Sequence, residues 1–414
     1  MKNKSLKPKI LILFWHSSDS LAGGFTRLRE FLPYFRNLDI TIVDNKPEFI
    51  KKEDFSNLKV LVYTIPPSIT QIYRINYVLG RFIEWLFSLY SLVAIGVKEL
   101  KDNDYKLIYG PTGDNPHIFF AGIILKFLFP KKKLLLDVLN LEVPEGGAYN
   151  YYNSFRENNV SFIESFIRAF GLSILIFLQK KFIRKCDFVI TVSPYMQKII
   201  SKNYDSKKIS YTPSGVKIPI FYKLSRKEYD AVYIGRHTKE KGIFDVIEVL
   251  KKTQKLKRNI KFITAGSIQP EVKNLLLENS LKAGISNNLE LKGLVDEQKK
   301  WEIIGKSKVF LHLAYFEPLV PVITILEALG AGIPVITYYV KAFDDYPYLK
   351  KNKAIYIIYN KDIDKAAEVL LKILIMKKPE RKIIEKEAKS IASKFIWSQI
   401  AKKELKIIKN LIDN

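Results

Sequence analysis

Short runs of aliphatic and aromatic residues recur along the chain, and stretches with apolar positions every three or four residues separate most of them. In the first half the runs are KILILF (9–14), DITIVD (39–44), KVLVYT (59–64), KLIYG (106–110), KLLLDV (133–138) and DFVITVS (187–193). The second half repeats the pattern with DAVYIG (230–235), IKFITAG (260–266), LELKG (289–293), VFLHL (309–313), PVITY (334–338) and AIYII (354–358). Near-continuous apolar strands alternating with helical stretches predict βαβ units and parallel sheets covered on both faces.

Between the two sets lies YTPSGVKIP (211–219), whose Pro-Ser-Gly centre is a turn signal and a hinge candidate. The pattern therefore predicts an α/β fold of two doubly wound, Rossmann-like domains facing a cleft. Expected boundaries are 1–213 for the first domain and 214–385 for the second. From Pro379 onward the chain reads as one helical pattern with a break near Ser393. That tail, 386–414, lies too far past the last strand for an ordinary crossover and is expected to pack back on the first domain.

Composition adds three bounds. The 414 residues are 48% hydrophobic, enough for two cores. Cys186 is the single cysteine, so an intramolecular disulfide or a cysteine zinc cluster is excluded, and a reducing compartment fits. The formal charge is +26, from 68 Lys+Arg against 42 Asp+Glu, which implies an anionic partner or a lysine-rich solubilising surface. The start, MKNKSLKPKILILFWHSS, has a basic leader, but its apolar run is short and ends in His16, so it reads as a first strand rather than a secretory leader. WLFSLYSLVAIGV (85–97) and AFGLSILIFL (169–178) are bounded by charges and read as buried or membrane-surface helices rather than spans.

Three stretches could carry chemistry. In YIGRHTKEKGIFDVIEVL (233–250) a strand ends at Gly235, Arg236 and Lys241 bracket a short loop, and Gly242 precedes a helix. A guanidinium fork and an ammonium there suit phosphate oxygens; a solvated turn is the other reading. In HSSDSLAGGFTRLREFL (16–32), Gly23 and Gly24 open a helix whose free amides could hold an anion, although neither a dinucleotide fingerprint nor a Walker loop is present. In FEPLVPVITILEALGAGIPVI (316–336), Pro321 suits a helix's first turn, so the amino end near Val320, Val322 and Ile323 becomes an anion site. Glu327 then lies roughly 9 Å along the axis, where it could accept hydrogen bonds from sugar hydroxyls.

Weaker signals stand beside these. Asp102–Asn103–Asp104 has the DxD form of metal-dependent sugar transferases but sits in a lysine-flanked loop. The histidines His16, His117, His237 and His312 lack metal-ligand spacing. His117 follows a strand end, so it could face the cleft, cap a helix or be a structural histidine.

Together these residues resemble the retaining glycosyltransferases of family 4, which have the GT-B fold. DFVITVSPYMQKII resembles the segment closing the first domain, YTPSGVK the hinge, and FIWSQIAKKELKIIKNL the returning helix with Trp397 as its anchor. IGRHTKEKG resembles the donor-phosphate motif, which implies Arg236 and Lys241 on the diphosphate. FITAGS around Gly266 and LKGLVDEQKKWEIIGKSKVFLHL resemble the nucleotide-binding strands, with the backbone at Leu294 and Val295 facing the base. The opening and closing carboxylates of the third stretch resemble the two-glutamate motif, implying Glu317 at the transferred sugar and Glu327 at the ribose. Nine residues separate them here, where the family usually has seven. LLLDVLNLEVPE resembles an acceptor-side segment in which Leu139 and Asn140 replace a polar pair; with Gly23, Gly24 and His117, Asn140 forms the expected acceptor side.

The resemblance implies a metal-independent hexosyltransferase acting with retention in glycan biosynthesis. Its donor would be a nucleoside-diphosphate sugar, UDP- or GDP-linked, and its acceptor a saccharide or lipid-linked saccharide. No cofactor and no nucleic acid are expected, and no protein nucleophile is nominated. A cytoplasmic location is expected, with peripheral attachment to an anionic membrane through QIYRINYVLGRFIEWLFSLYSLV (71–93) as one reading and a core helix as the other. The rival functions are a sugar-nucleotide epimerase of the same fold and a basic protein that binds nucleic acid or membrane without catalysis.

Overall fold

The computed structural model describes residues 7–15, 23–46, 58–141, 148–157, 161–219, 226–256, 259–317 and 319–413. The chain forms two compact units, 1–213 with 398–414, and 214–397. It passes between them at Pro213/Ser214 and again at Trp397/Ser398.

The first unit is built on seven parallel strands: β1 (Lys9–Leu13), β2 (Asp39–Asp44), β3 (Leu58–Val62), β4 (Tyr105–Gly110), β5 (Lys133–Val138), β6 (Phe188–Thr191) and β7 (Ile209–Tyr211). Their order is β3-β2-β1-β4-β5-β6-β7. The second has six: β8 (Tyr229–Ile234), β9 (Phe262–Ala265), β10 (Leu289–Leu291), β11 (Ser307–His312), β12 (Val335–Tyr338) and β13 (Ile355–Ile358), in the order β10-β9-β8-β11-β12-β13. Ile10, Leu11, Ile12 and Leu13 are all fully buried, and so are Ala231, Val232, Phe310 and Leu311. Burial on both faces explains why these strands read as apolar runs rather than alternating patterns. Both sheets reverse strand order once, between β1 and β4 and between β8 and β11. Ligands of such sheets bind beyond the carboxyl ends of the strands at that reversal.

Helices α1 (Gly23–Phe31), α2 (Pro67–Ile75), α3 (Tyr77–Asp102), α4 (Pro116–Leu128), α5 (Ala148–Glu157), α6 (Phe162–Phe182) and α7 (Pro194–Ser201) complete the first unit with α15 (Trp397–Asp413), which starts one residue before the boundary. The second carries α8 (Ile243–Leu256), α9 (Pro270–Lys282), α10 (Glu297–Gly305), α11 (Ile323–Gly330), α12 (Pro347–Lys350), α13 (Ile363–Ile375) and α14 (Lys378–Ala392). Local chemistry sets several starts: Ser193, Asp296 and Asp362 accept from the backbone amides of Met196, Lys299 and Lys365 as N-caps.

Two expectations change. The returning tail begins at Ser398, not 386, because α14 packs on α11 within the second unit. The break near Ser393 is a short 3-10 turn, Ser393–Phe395, followed by a bridge in which Val216 N donates to Phe395 O at 2.7 Å. In addition, helices 78–102 and 162–185 are long and apolar enough to cross a membrane by length and composition, because isolated charges within them are outweighed over an 18-residue window. Strand β7, absent from the sequence reading, is only three residues long.

Candidate active site

In the second unit the loops after β8 and β11 meet at the strand-order reversal. Gly235 follows β8 directly, and its N–H donates to Ala265 O at 3.0 Å. The loop backbone is held by Tyr233, whose hydroxyl donates to Arg236 O at 2.5 Å. His237 pins it from below. Ser267 O can only accept, so His237 Nδ1 donates to it at 3.2 Å, and Nε2 accepts from Thr264 Oγ1 at 2.8 Å. Burial lowers the His237 pKa, which keeps this neutral tautomer in place. The Arg236 side chain is exposed and makes no hydrogen bond or ion pair among the described residues. Its charge is therefore available to a ligand.

Two glycines make the loops possible. Gly242 sits at φ +74°, and a Cβ there would lie 1.9 Å from Leu313 O. Gly266 sits at φ +140°, and a Cβ would lie 1.9 Å from Gly235 O. Both clashes are with backbone, which cannot swing aside. Gly266→Ala is expected to destabilise the protein by about 1–3 kcal/mol, read as a lower chemical-denaturation midpoint. A wild-type midpoint would contradict the close approach.

The buried Glu317 carboxylate links the two loops. Lys241 Nζ pairs with Glu317 Oε1, and His312 Nε2 lies 3.2 Å from the same oxygen. Burial alone would push this carboxyl upward, but Lys241 and His312 outweigh it and hold the pKa at about 2. Glu317 is therefore an anion throughout the neutral range and not a proton donor. His312 Nδ1 is buried and has no hydrogen-bond partner. A further link is Tyr315 N–H donating to Glu240 O at 2.9 Å.

The helix after Glu317 differs from expectation at its start. Val322 is the N-cap, with extended backbone (ψ 160°), so α11 begins at Ile323 and Pro321 lies outside the first turn. Val322 supplies no side-chain cap, and Leu326 N–H makes the first helical bond to Val322 O. The amides of the first turn thus lack intrahelical acceptors, and they form an anion-binding end. Val320 is buried just before it.

Glu327 is buried in α11, and Lys300 Nζ donates to its Oε1 at 2.6 Å. Lys300 also pairs with Glu297 at 2.9 Å. At the carboxyl end of β9, Gly266 N–H donates to Gly293 O at 2.7 Å. Leu294, next in that loop, is exposed, and Val295 is half-buried. Glu317, Lys241, Arg236 and the α11 start are thus gathered around β8 and β11, while Leu294 and Val295 follow the edge strand β10. The sequence reading missed His312 and Lys300 as partners of the two glutamates. Position at the carboxyl end of β11 was the available signal for His312; Lys300 had none.

The expected acceptor-side residues all lie in the first unit. Gly23 and Gly24 form the first turn of α1, and Gly24 packs over the Thr112 methyl. Asn140 is half-buried two residues past β5. His117 does not cap a helix. It is buried in the first turn of α4, edge-on to Trp15 at 4.5 Å, and both ring nitrogens lack partners. Burial, then Arg81, lowers its pKa to about 3, so it is neutral at physiological pH. Trp15 Nε1 against this ring, and Thr112 Oγ1 and Asp114 Oδ1 close to it in the chain, are likewise buried without hydrogen-bond partners among the described residues. The Asp102–Asp104 loop falls between α3 and β4, where Asp104 pairs with Lys106 at 2.7 Å and Lys132 at 3.0 Å. Residues 16–22 of the glycine-containing stretch lie outside the described residues, as does Pro318.

Comparison with known proteins follows the same division. Residues 218–390 match the family model described as glycosyl transferases group 1. A curated relative, an uncharacterized glycosyltransferase of Methanocaldococcus jannaschii, is 28% identical over 189 residues, covering 42% of this chain and 45% of the relative. The match thus spans less than half of that relative's length. Among solved structures, sucrose-phosphate synthase from Thermosynechococcus elongatus aligns with TM-score 0.73 and 14% identity, covering 98% of this chain and 99% of the other. Anabaena HepE in complex with UDP and glucose aligns with TM-score 0.69 and 15% identity over 97% and 99% of the two chains. At these identities the structures establish a shared fold, that of GT-B glycosyltransferases.

Proposed function

We propose that the chain, whose residues 218–390 match the family model of the glycosyl transferases of group 1, transfers a sugar from a nucleoside-diphosphate donor held by its second unit. The observation that carries the reading is the anion-binding edge beyond β8 and β11. An exposed Arg236 without an acidic partner among the described residues, a Lys241 ammonium and the uncapped amides of α11 share the reversal point of one sheet. Such a set suits the two charged phosphates of the donor and the charge that grows on them as the glycosidic bond breaks.

The roles follow from chemistry. Arg236 grips phosphate oxygens in a fork, and Lys241 adds a point charge. Glu317, ionised and tied to Lys241 and His312, accepts hydrogen bonds from the transferred sugar and fixes Lys241. It is not free to serve as a nucleophile. That supports retention by attack on the departing face, with the donor phosphate taking the acceptor's proton. Glu327, braced by Lys300, is assigned to ribose hydroxyls. The acceptor is a saccharide or lipid-linked saccharide, received by the first unit. HepE's complex with UDP makes UDP the first nucleotide to test.

A thermal-shift screen of UDP, GDP and ADP tests this. One nucleotide should raise the melting temperature; at a hundredfold excess over its dissociation constant the stabilisation is about 2.7 kcal/mol. Arg236→Ala should melt with the wild type when nucleotide is absent, since its side chain is exposed and has no partner among the described residues, yet lose most of the shift. The proposal fails if no nucleoside diphosphate stabilises the wild type.

A further inference from the structure

Helix α6 is 21 residues long and presents one apolar face outward. Phe162, Phe166, Phe170, Ile174 and Phe177 recur at helical spacing, and Phe166, Phe170 and Phe177 are 58%, 56% and 64% exposed. The opposite face, Ser165, Ala169, Ile176 and Gln179, is buried. It is seated on α5 and α4, and Gln179 Nε2 donates to Asp114 O at 3.0 Å. This seat holds the aromatic face away from the core. Exposed phenylalanines in such a row are not a feature of an ordinary soluble surface.

We propose that this face of α6 docks the first unit on an anionic phospholipid bilayer, lying in the plane of its interface. Charge selects the occupant. The one acid on α6, Glu164, is neutralised by Arg168. At the carboxyl end Lys181, Arg184 and Lys185 are exposed, and neither lysine has a carboxylate partner among the described residues. An apolar stripe with a cationic end matches an interfacial helix, whose rings enter the acyl boundary while its lysines meet headgroup phosphates. A second copy is a poor occupant, because each carries a formal +26 and the face offers no acidic counterpart. The Gln179 tie and the buried seat oppose a transmembrane placement, which would strip α6 from α4 and α5. Helix α3, in the segment 71–93 for which membrane contact and a core helix were the two readings, packs against α4 and also exposes Phe82 and Tyr90.

Flotation with vesicles of phosphatidylglycerol and phosphatidylcholine in equal parts tests the surface, with phosphatidylcholine alone as the comparison. The wild type should float with the anionic vesicles, less so as salt rises, and not with the neutral ones. Phe166→Ser/Phe170→Ser/Phe177→Ser should cut the bound fraction by about tenfold or more while keeping the wild-type melting temperature. Lys181→Glu/Lys185→Glu, which spares the apolar face, should weaken binding to anionic vesicles. Flotation without any nucleotide-induced thermal shift would support the surface while counting against the donor reading, so the two fail separately. The proposal is overturned if the wild type floats with neither vesicle, or if the triple variant floats unchanged. A dimer seen by light scattering that the triple variant abolishes, without vesicle binding, would assign the face to a second copy and overturn it as well.

Discussion

Lys241→Ala should lower turnover of the nucleotide sugar by about 10²–10³, the loss typical of removing one preorganised donor to a developing negative charge. Two effects combine. The ammonium that would neutralise phosphate is gone, and Glu317 loses the cation that holds it below the ordinary carboxylate range. What is left is a buried carboxylate beside His312 alone, so the loop after β11 loosens where the sugar would sit. The measurement is release of nucleoside diphosphate from the donor, with Lys255→Ala as a control at the far, exposed end of α8. Equal loss in both variants would remove Lys241 from the site. The acid side of the stability profile offers a second check. The folded pKa of Glu317 is depressed, so its contribution is fully present above its unfolded value and is lost as pH falls toward about 2. Glu317→Gln should flatten that limb.

The pieces of this site differ in how far the sequence revealed them. Residues such as Ile10–Leu13 and Phe310–Leu311 were legible because a strand covered on both faces must be apolar throughout. Arg236, Lys241 and Gly242 were legible because a strand end, two cations and a glycine fall within a few residues. Their partners were not. His312 and Glu317 meet across a loop, and Lys300 reaches Glu327 from another helix, 27 positions away. No local pattern encodes such a pair. The start of α11 was misplaced by two residues because Pro321 favours a first turn in general, while the extended backbone of Val322 sets it here. The tail was misdivided for a related reason: α14 and α15 share one helical periodicity, and only packing shows that they belong to different units. The apolar face of α6 was visible as composition, but its outward direction is set by the seat on α4 and α5.

Arg27→Met should cost the first unit about 3–5 kcal/mol, the penalty for leaving a buried charge without its partner. Arg27 is almost wholly buried among the first unit's own elements. Its Nε donates to Asp137 Oδ2 at 3.2 Å, and Nη1 donates to the carbonyls of Thr212 and Pro213 at 3.0 Å each. Nη2 pairs with Glu404 of α15. Tyr109 donates to Asp137 at 2.9 Å and is 2.6 Å from Glu404, while Thr212 donates to Glu404 at 2.9 Å. The guanidinium thus joins α1, β5, the exit at Pro213 and the returning helix. Two carboxylates face one cation. Burial first, and then the charge of Glu404, raises the Asp137 pKa well above its usual value despite Arg27. The hypothesis that follows is that Asp137 is the carboxyl that holds a proton, with Arg27 and Glu404 as the ion pair. This assignment separates two substitutions that look alike. Asp137→Asn preserves the neutral form and should cost less than about 1 kcal/mol, within the range of a conserved hydrogen bond. Arg27→Met strands Glu404 and also releases the carbonyls at the exit. Denaturant midpoints followed by tryptophan fluorescence compare the two. A loss in Asp137→Asn as large as in Arg27→Met would show that Asp137 is the ionised partner instead.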